Sequence, residues 1–456
     1  MSRFFIKVFV PGPFFEPLTY SSDKPIEAGL RGEAPLGSRE IVGISAGDAS
    51  EPKDLSTIKS ILEVLDDAPV IDPSHHALIR FASDYYLTPA GDLLLSSLPT
   101  AIRKGKPFPL AKTEQGQSQP PHYPLTDEQQ HAIDCVNQAS GDFQCFLLQG
   151  VTGSGKTQVF SELIRKTLER GAQVLLLVPE IGLTGQMVTR IQQQLTGTLA
   201  VSHSGLADGA RAKAFVAASQ GTADVLIGTR SALFTPMPNL GLILVDEEHD
   251  GAYKNQEGCR YSARDLAIVR AQQMRIPVVL SSATPSLESW HQAEFGKYIR
   301  LRLSSRPGQQ PSPTIRLIDA RHDKPKDGLS DASRRAIRDA IDRQQQALVF
   351  LNRRGYSPVL MCADCGWIPG CRHCDAKPTL HRHPNVLWCH HCDHRQQSIT
   401  VCPECSGLNL LAVGLGTERL EEALATAFPD TPVIRVDRDT TARRRAFKQL
   451  IQPVID

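Results

Sequence analysis

Gly150-Val151-Thr152-Gly153-Ser154-Gly155-Lys156-Thr157 fills every fixed position of the phosphate-binding pattern G-x-x-x-x-G-K-[ST]. Phe143-Gln144-Cys145-Phe146-Leu147-Leu148 precedes it, an apolar run that reads as a buried strand. Residues 157–170 follow, with Val159, Phe160, Leu163, Ile164 and Leu168 at the spacing of one buried helical face. Strand, glycine-rich loop and helix are the context the pattern requires, and a chance Gly-rich turn would not carry both flanks. Glycines let the backbone wrap closely around phosphates, so amides and the helix N-terminus point at the anion. In that geometry residues 150–157 cradle a nucleotide such as ATP, Lys156 neutralises β/γ-phosphate charge and Thr157 holds magnesium.

Outward from this loop, strands and helices alternate from 143 to about 290. Apolar runs stand at Gln173–Val178, Leu199–Val201, Val225–Ile227, Leu242–Val245 and Val278–Leu280. This predicts a doubly wound parallel sheet, whose ligands bind at the C-terminal strand ends. Leu242–Val245 runs into Asp246-Glu247-Glu248-His249. Asp246 is placed to share the magnesium with Thr157, and Glu247 to orient or deprotonate the attacking water. His249 is placed to couple the site to neighbouring motifs, with an ordinary solvated histidine as the alternative. Ser281-Ser282-Ala283-Thr284-Pro285 follows the next run; alone, such a cluster is usually a turn. Lys254-Asn255-Gln256-Glu257-Gly258-Cys259-Arg260-Tyr261 mixes cations, amides and an aromatic. That composition suits contact with a single strand, and equally a solvated loop.

Before the loop, residues 104–124 are rich in Pro, Gln and Lys and read as an extended linker. Leu125-Thr126-Asp127-Glu128-Gln129 then opens a helix capped by Thr126 or Asp127. Residues 1–105 are β-leaning, with strands expected at Ile6–Val10 and Glu40–Ile44 and short amphipathic helices at Ile58–Leu65 and His75–Tyr86.

Beyond 311 a second strand-led unit is expected to start at Ala347–Leu351, followed by Asn352-Arg353-Arg354-Gly355. Four Cys-x-x-Cys pairs come next: Cys362/Cys365, Cys371/Cys374, Cys389/Cys392 and Cys402/Cys405. Eight thiolates make two closed tetrahedral sites, hence two structural zinc ions rather than redox dithiols. Spacing allows the pairs to combine sequentially or nested, and His373, His390 and His391 are possible substitutes. Leu410–Val413 resumes as strand, Gly414–Leu420 leads into a helix ending near Phe428, and Val433–Asp437 reads as a further strand before Arg443-Arg444-Arg445.

Composition sets limits on this reading. At 456 residues, a prior of roughly 150 per domain suggests about three domains. Hydrophobic content of 41% and charged content of 22% are globular values. A net charge of +1 means that any nucleic-acid surface is a local patch. No apolar run spans a bilayer, and Lys7 and Pro11 interrupt the apolar start, so neither membrane nor export signal is expected and a cytoplasmic location follows. Eleven cysteines without export argue for metal ligation.

Together these motifs resemble the bacterial replication-restart helicases of superfamily two, the primosomal protein N′ (PriA) family. Gly150–Thr157 is similar to motif I, Pro179-Glu180-Ile181-Gly182-Leu183-Thr184 to Ia, Gly228-Thr229-Arg230-Ser231-Ala232 to Ib, Asp246–His249 to II, Ser282-Ala283-Thr284 to III and Phe350–Gly355 to IV. The resemblance implies RecA-like folds: a small β-rich 3′-DNA-end-binding domain (1–105), a linker (106–124), an ATP-binding lobe (125–310) and a partial second lobe (311–456) with a zinc insertion at 358–407. It implies nested zinc sites, Cys362/Cys365/Cys402/Cys405 and Cys371/Cys374/Cys389/Cys392. It places Gln129 at the adenine, Lys254–Tyr261 (with Lys254, Arg260 and Tyr261) and Thr229 and Arg230 at DNA, and Gly37 and Lys59 in the 3′-end pocket. Leu18 and Thr19 stand where many members have Phe and Asp, and Cys259 stands where an aromatic is common. The implied activity is ATP-driven 3′-to-5′ unwinding at stalled forks and primosome assembly, with forked or single-stranded DNA, primosome proteins and single-stranded DNA-binding protein as partners. The family pattern also has a winged-helix domain and motifs V and VI, the last supplying an arginine finger; a chain shortened by these is the expectation.

Overall fold

Seven strands carry the centre of the first unit, the inner ones apolar on both faces. β7 (Cys145–Gly150), β8 (Gln173–Leu177), β9 (Thr198–Ser202), β10 (Val225–Gly228), β11 (Leu240–Val245), β14 (Val278–Ser282) and β15 (Ile299–Leu303) form a parallel sheet in the order β15-β7-β14-β11-β8-β10-β9. β6 (Glu114–Gln115) adds antiparallel to β9 at the edge. In the computed structural model the described residues are 4–109, 114–115, 124–179, 193, 197–306, 314–319, 321–323, 325–326, 328–351, 359–381, 386–413, 417–436, 450, 452 and 454. Motif Ia residues 180–184, motif IV residues 352–355, most of the linker, and residues 414–416, 437 and 443–445 lie outside them.

Phe146, Leu148, Val174, Leu176, Leu242, Leu244 and Val279 face one way, against α4 (Asp127–Gln138) and α5 (Lys156–Glu169). Leu147, Leu175, Leu177, Ile243, Val245 and Leu280 face the other. There the cover is α6 (Asp208–Ser219) and α7 (Ala263–Met274), joined by helices from the N-terminal region. Burial on both faces is what a parallel sheet demands.

The N-terminal region forms a five-stranded antiparallel sheet: β1 (Phe4–Phe9), β2 (Leu18–Ser22), β3 (Arg31–Leu36), β4 (Arg39–Asp48) and β5 (Glu63–Val64), in the order β2-β1-β4-β3-β5. The helix expected at 58–65 does not form. Its amides are claimed by the sheet edge: Ile61 N donates to Ser21 O, Leu62 N to Glu33 O and Leu65 N to Arg31 O, each at 2.9 Å. α1 (Pro73–Tyr86) does form, with Asp72 as N-cap and Pro73 in the first turn. It is followed by α2 (Ala90–Ser97) and α3 (Thr100–Arg103).

These helices share one core with the parallel sheet: Leu78, Ile79, Ala82, Leu93 and Leu94 lie in the same cluster as Leu175 and Val245. Asp208 at the start of α6 accepts from Thr100 N at 3.0 Å and Ala101 N at 2.9 Å, capping α3. Arg31, buried with Asp66 in a bidentate pair at 2.6 and 2.9 Å, donates to Ile102 O and so ties the N-terminal sheet to α3. Residues 1–311 form one compact unit and 312–456 a second.

The second unit holds α9 (Asp331–Asp342), the antiparallel pair β16 (Val359–Cys362) and β20 (Leu410–Val413), the antiparallel sheet β17 (Thr379–His381), β18 (Val386–Trp388) and β19 (Arg395–Gln397), and α10 (Thr417–Ala427). The strands expected at 347–351 and 433–437 are not seen: 347–351 and 433–436 run without pairing, with Leu348 and Phe350 exposed. A strand is stable only with neighbours to take its N–H and C=O groups, and among the described residues none lies beside these segments. The parallel sheet of a second RecA-like lobe is therefore not assembled among the described residues.

Candidate functional site

β7 ends at Gly150, and the loop to α5 turns through left-handed conformations at Gly153 (φ +84°) and Gly155 (φ +82°), which a side chain would strain. A Cβ on Gly155 would lie 2.3 Å from Gln129 Nε2, so a side chain there would push the Gln129 amide out of its place. Gln129, expected at the adenine, is fully buried. Its Oε1 accepts from Thr126 N at 2.9 Å, closing the capping box of α4, and its Nε2 donates to Ser154 O at 2.9 Å. Gln129 thus braces the phosphate loop. Lys156 Nζ donates to Gly150 O at 3.0 Å and lies 3.9 Å from Glu247 Oε1.

Asp246 and Glu247 follow β11, next to β14, at the C-terminal ends of their strands. Asp246 Oδ1 accepts from Glu247 N at 3.1 Å and Ser281 Oγ at 3.2 Å. Burial, and the Glu247 carboxylate beside it, raise the Asp246 pKa. A half-buried acid pair of this kind is stabilised by a cation. Glu247 adopts φ +43°, a left-handed conformation rare for a side-chain-bearing residue and typical of constrained functional positions. His249 Nδ1 lies 3.6 Å from Glu247 Oε2 and 2.7 Å from Ser282 Oγ, and Ser282 Oγ accepts from Thr284 N at 2.9 Å. A polar chain therefore runs from Lys156 through Glu247 and His249 to Ser282 and Thr284, joining three segments far apart in the sequence.

Sequence reasoning missed two members of this site. Glu248 is buried, and its carboxylate accepts from Arg264 Nη1 at 3.1 Å, Ser286 N at 2.7 Å, Ser286 Oγ at 3.0 Å and Ser289 Oγ at 2.8 Å. It fastens Asp246–His249 to α7 and to the N-cap of α8 (Leu287–Glu294). Buried Tyr253 donates its hydroxyl to Asp246 O at 2.6 Å and Leu177 O at 3.0 Å. In the sequence Glu248 looks like its acidic neighbours; its only signal is that three acids in a row cannot all face one cation.

The expected DNA contacts divide. Lys59 Nζ donates to Gly37 O at 2.8 Å, so two residues 22 apart meet at an exposed turn where Gly37 has φ +64°. Leu18 and Thr19 lie on β2 opposite Val8 and Lys7. Lys254 and Arg260 are exposed on the hairpin formed by β12 (Lys254–Asn255) and β13 (Tyr261–Ser262). Asn255 Nδ2 closes that hairpin onto Glu257 O at 2.9 Å and Cys259 O at 2.6 Å. Tyr261 is turned inward: its ring meets Phe234 edge-on at 5.1 Å, and burial pushes its pKa up to about 12. Thr229 is buried, and Arg230 Nη1 lies 3.5 Å from Ala252 O.

The eight cysteines form two four-sulfur groups, Cys362/Cys365/Cys402/Cys405 and Cys371/Cys374/Cys389/Cys392, each with all sulfurs within 4.8 Å of one another. The pairing is nested. Cross-pair sulfurs are 3.6 Å apart in the first group and 3.5 Å in the second. Tetrahedral zinc with Zn–S of ~2.3 Å sets an S···S edge of about 3.8 Å, so the donor sets fit the ion. The thiols within each group are driven apart: backbone N–H groups three and two positions on bring Cys362 to about 7 and Cys389 to about 6, while burial and hydrogen bonds among the sulfurs raise Cys365 and Cys374 to about 12. His373, His390 and His391 are not in either group.

Residues 126–293 match the DEAD/DEAH box helicase family, 7–99 the 3′DNA-binding domain (3′BD), and 371–397 the PriA DNA helicase Cys-rich region (CRR) domain. The replication restart protein PriA of Haemophilus influenzae is 34% identical over an alignment of 528 positions covering 98% of this chain and 72% of the relative. That of Bacillus subtilis is 41% identical over 72% of this chain and 41% of the relative, and that of Treponema pallidum 34% identical over 90% and 63%. Among solved structures, RecG bound to a three-way DNA junction overlaps 59% of this chain and 34% of its own at TM-score 0.37 and 19% identity. No helix among the described residues is long and apolar enough to cross a membrane. With matches to a helicase family, a 3′DNA-binding domain and a PriA Cys-rich region, and 34% identity to a relative of which it covers 72%, the chain belongs to the replication restart protein PriA family.

Proposed function

We propose that the chain binds magnesium–ATP at Gly150–Thr157 and couples its hydrolysis to 3′-to-5′ movement on forked or single-stranded DNA, recognising stalled forks and starting primosome assembly in the cytoplasm. The observation that carries the reading is the chain of contacts from Lys156 through Glu247 and His249 to Ser282. It links a glycine-wrapped phosphate loop to the segments that follow β11 and β14. Thr157 and Asp246 hold magnesium, which supplies charge neutralisation at the phosphates. Glu247 orients the attacking water, and Gln129 keeps the loop in its binding shape. Gly37 and Lys59 receive the strand end, while Arg230, Lys254 and Arg260 contact the strand, with Thr229 and Tyr261 supporting them from beneath. Two zinc ions hold the Cys-rich region, and primosome proteins and single-stranded DNA-binding protein are the protein partners.

A second reading is a nucleotide- and DNA-binding assembly module without turnover. The unpaired, exposed segment 347–351 favours it, because turnover needs a second lobe to close on the nucleotide. DNA-stimulated ATPase on forked DNA decides between them. Turnover at least tenfold above Lys156→Ala supports the enzyme; turnover equal to Lys156→Ala, with nucleotide still bound, supports the module.

A further inference from the structure

Glu128 stands one residue before the loop-bracing Gln129, in the first turn of α4, and faces a different part of the chain. Its carboxylate collects four donors from the segment that follows β15. Oε2 accepts from Ser304 N at 2.8 Å, Ser305 N at 3.3 Å and Ser305 Oγ at 3.1 Å, and Oε1 accepts from Ser304 Oγ. These contacts bridge 176 and 177 positions of sequence. The donors hold the Glu128 carboxyl below its ordinary range, so it is charged at neutral pH. A carboxylate in the first turn of a helix is already favoured by the helix dipole, and capping alone would not require it to reach another segment.

The segment it holds lies against the phosphate loop. β15 pairs with β7 up to the Leu303–Gly150 pair, and Val151 N donates to Leu303 O at 3.3 Å. A Cβ on Gly150 would lie 3.2 Å from Leu303 Cβ, and one on Gly153 would lie 3.9 Å from Arg306 Cδ. The first turn of α4 thus grips two things at once: the phosphate loop through Gln129 and Ser154 O, and the exit segment through Glu128. Arg306 is the last described residue before 312, where the second unit begins.

We propose that Glu128 is a positioning residue that makes the exit segment Ser304–Arg306 move as one piece with the nucleotide-binding loop. Occupancy of the loop then alters the point from which the chain leaves the first unit. This rests on the nucleotide-binding reading above. Exposed hydrogen bonds are individually weak, but four donors on one carboxylate are charge-assisted and fix both serines.

Amide hydrogen exchange reads this contact directly, since two of the four donors are backbone N–H groups. With magnesium and a non-hydrolysable ATP analogue, exchange at Ser304 and Ser305 in the full chain should slow at least fivefold. In Glu128→Gln an amide NH2 or a neutral oxygen meets those donors. The nucleotide-dependent difference should fall below twofold, while the analogue's Kd, followed by fluorescence titration, changes less than threefold. Ser304→Ala/Ser305→Ala, which leaves Glu128 and the backbone in place, should reduce the difference to an intermediate value, separating the contact from any folding defect. Equal slowing in wild type and Glu128→Gln overturns the proposal and leaves nucleotide binding standing. No slowing in a wild type that binds the analogue overturns it as well, and a wild type that binds no analogue overturns both readings.

Discussion

Glu247 and Glu248 are neighbours with the same side chain and opposite surroundings, so replacing each by Gln should give opposite phenotypes. Glu248 is buried, and three of its four hydrogen bonds converge on Oε2 from Arg264 Nη1, Ser286 Oγ and Ser289 Oγ. In Glu248→Gln an NH2 group would face those donors, or a rotated amide would leave Ser286 N facing it. Breaking a buried pair from one side costs about 3–5 kcal/mol, because the partner charge stays behind. Arg264 keeps Asp265 at 2.8 Å, and that carboxylate is half exposed, so the low end, about 3 kcal/mol, applies. At roughly 2–4 °C per kcal/mol for a larger domain, the first unit should melt about 6–12 °C lower. Glu247 is 38% exposed, and its contacts, Lys156 at 3.9 Å and His249 at 3.6 Å, are loose. Such pairs contribute about 0–1 kcal/mol, so Glu247→Gln should melt within about 4 °C of wild type while ATP turnover is lost. Differential scanning fluorimetry with a parallel ATPase assay checks both. If Glu248→Gln melts within 2 °C of wild type, or Glu247→Gln falls as far as Glu248→Gln, the division of labour is wrong.

His75 makes a second test: it is fully buried with neither ring nitrogen hydrogen-bonded, and burial, helped by Arg270, lowers its pKa to about 3. Its folded pKa lies below the unfolded value near 6.5, so its contribution is present above pH 6.5 and is lost as pH falls toward 3. Between pH 6.5 and 5 the loss is about 2 kcal/mol, which denaturant titration should resolve and His75→Leu should remove. Metal content tests the sulfur groups: Cys371→Ser/Cys389→Ser should release one zinc of two, measured by a chromogenic chelator, whereas sequential pairing would release both. Lys59→Ala should leave Tm within 1 °C, since the side chain is exposed, and weaken binding of a recessed 3′ end several-fold by fluorescence anisotropy without changing binding of a blunt duplex.

What could be read from the residues follows from what each signal depends on. The phosphate loop and its sheet were legible because local pattern carries them: the unbroken apolar run Cys145–Leu148, buried on both faces, and the 3.6-residue spacing through Val159–Leu168 are set by burial. β15 was not, since Arg300 and Arg302 interrupt its run; at the sheet edge those side chains reach Gln149, Glu294 or solvent. The helix expected at 58–65 failed for a nonlocal reason, the edge of β3 being present to take its amides. Cysteine spacing identified the ligands but left sequential and nested pairing open; the family resemblance implied the nested arrangement, and the fold brings those sulfurs together. Tyr261 reads as a stacking residue in any loop; that Phe234 lies behind it is a fact about the Arg230–Phe234 turn, 27 residues away.

The N-terminal region looks detachable in sequence, and the structure removes that separation. Amphipathic spacing in Pro73–Tyr86 says that one face is buried but not against what, and the answer is the parallel sheet's own core. At that junction Arg270 of α7 is buried and donates to Leu233 O and Thr235 O, at 2.5 and 2.9 Å, fixing the end of the turn that begins at Arg230. Phe234 lies between Tyr261 on one side and His75 of α1 on the other, ring centroids 5.1 and 6.5 Å away. The helix that follows the Gly37–Lys59 sheet therefore packs on the same aromatic ring as the hairpin bearing Lys254 and Arg260. Close-packed interiors transmit displacement rather than absorb it. Gly37, Lys59, Arg230, Arg260 and the phosphate loop all belong to the one compact unit, so under the proposed function a strand bound at those side chains acts on the unit that also binds the nucleotide.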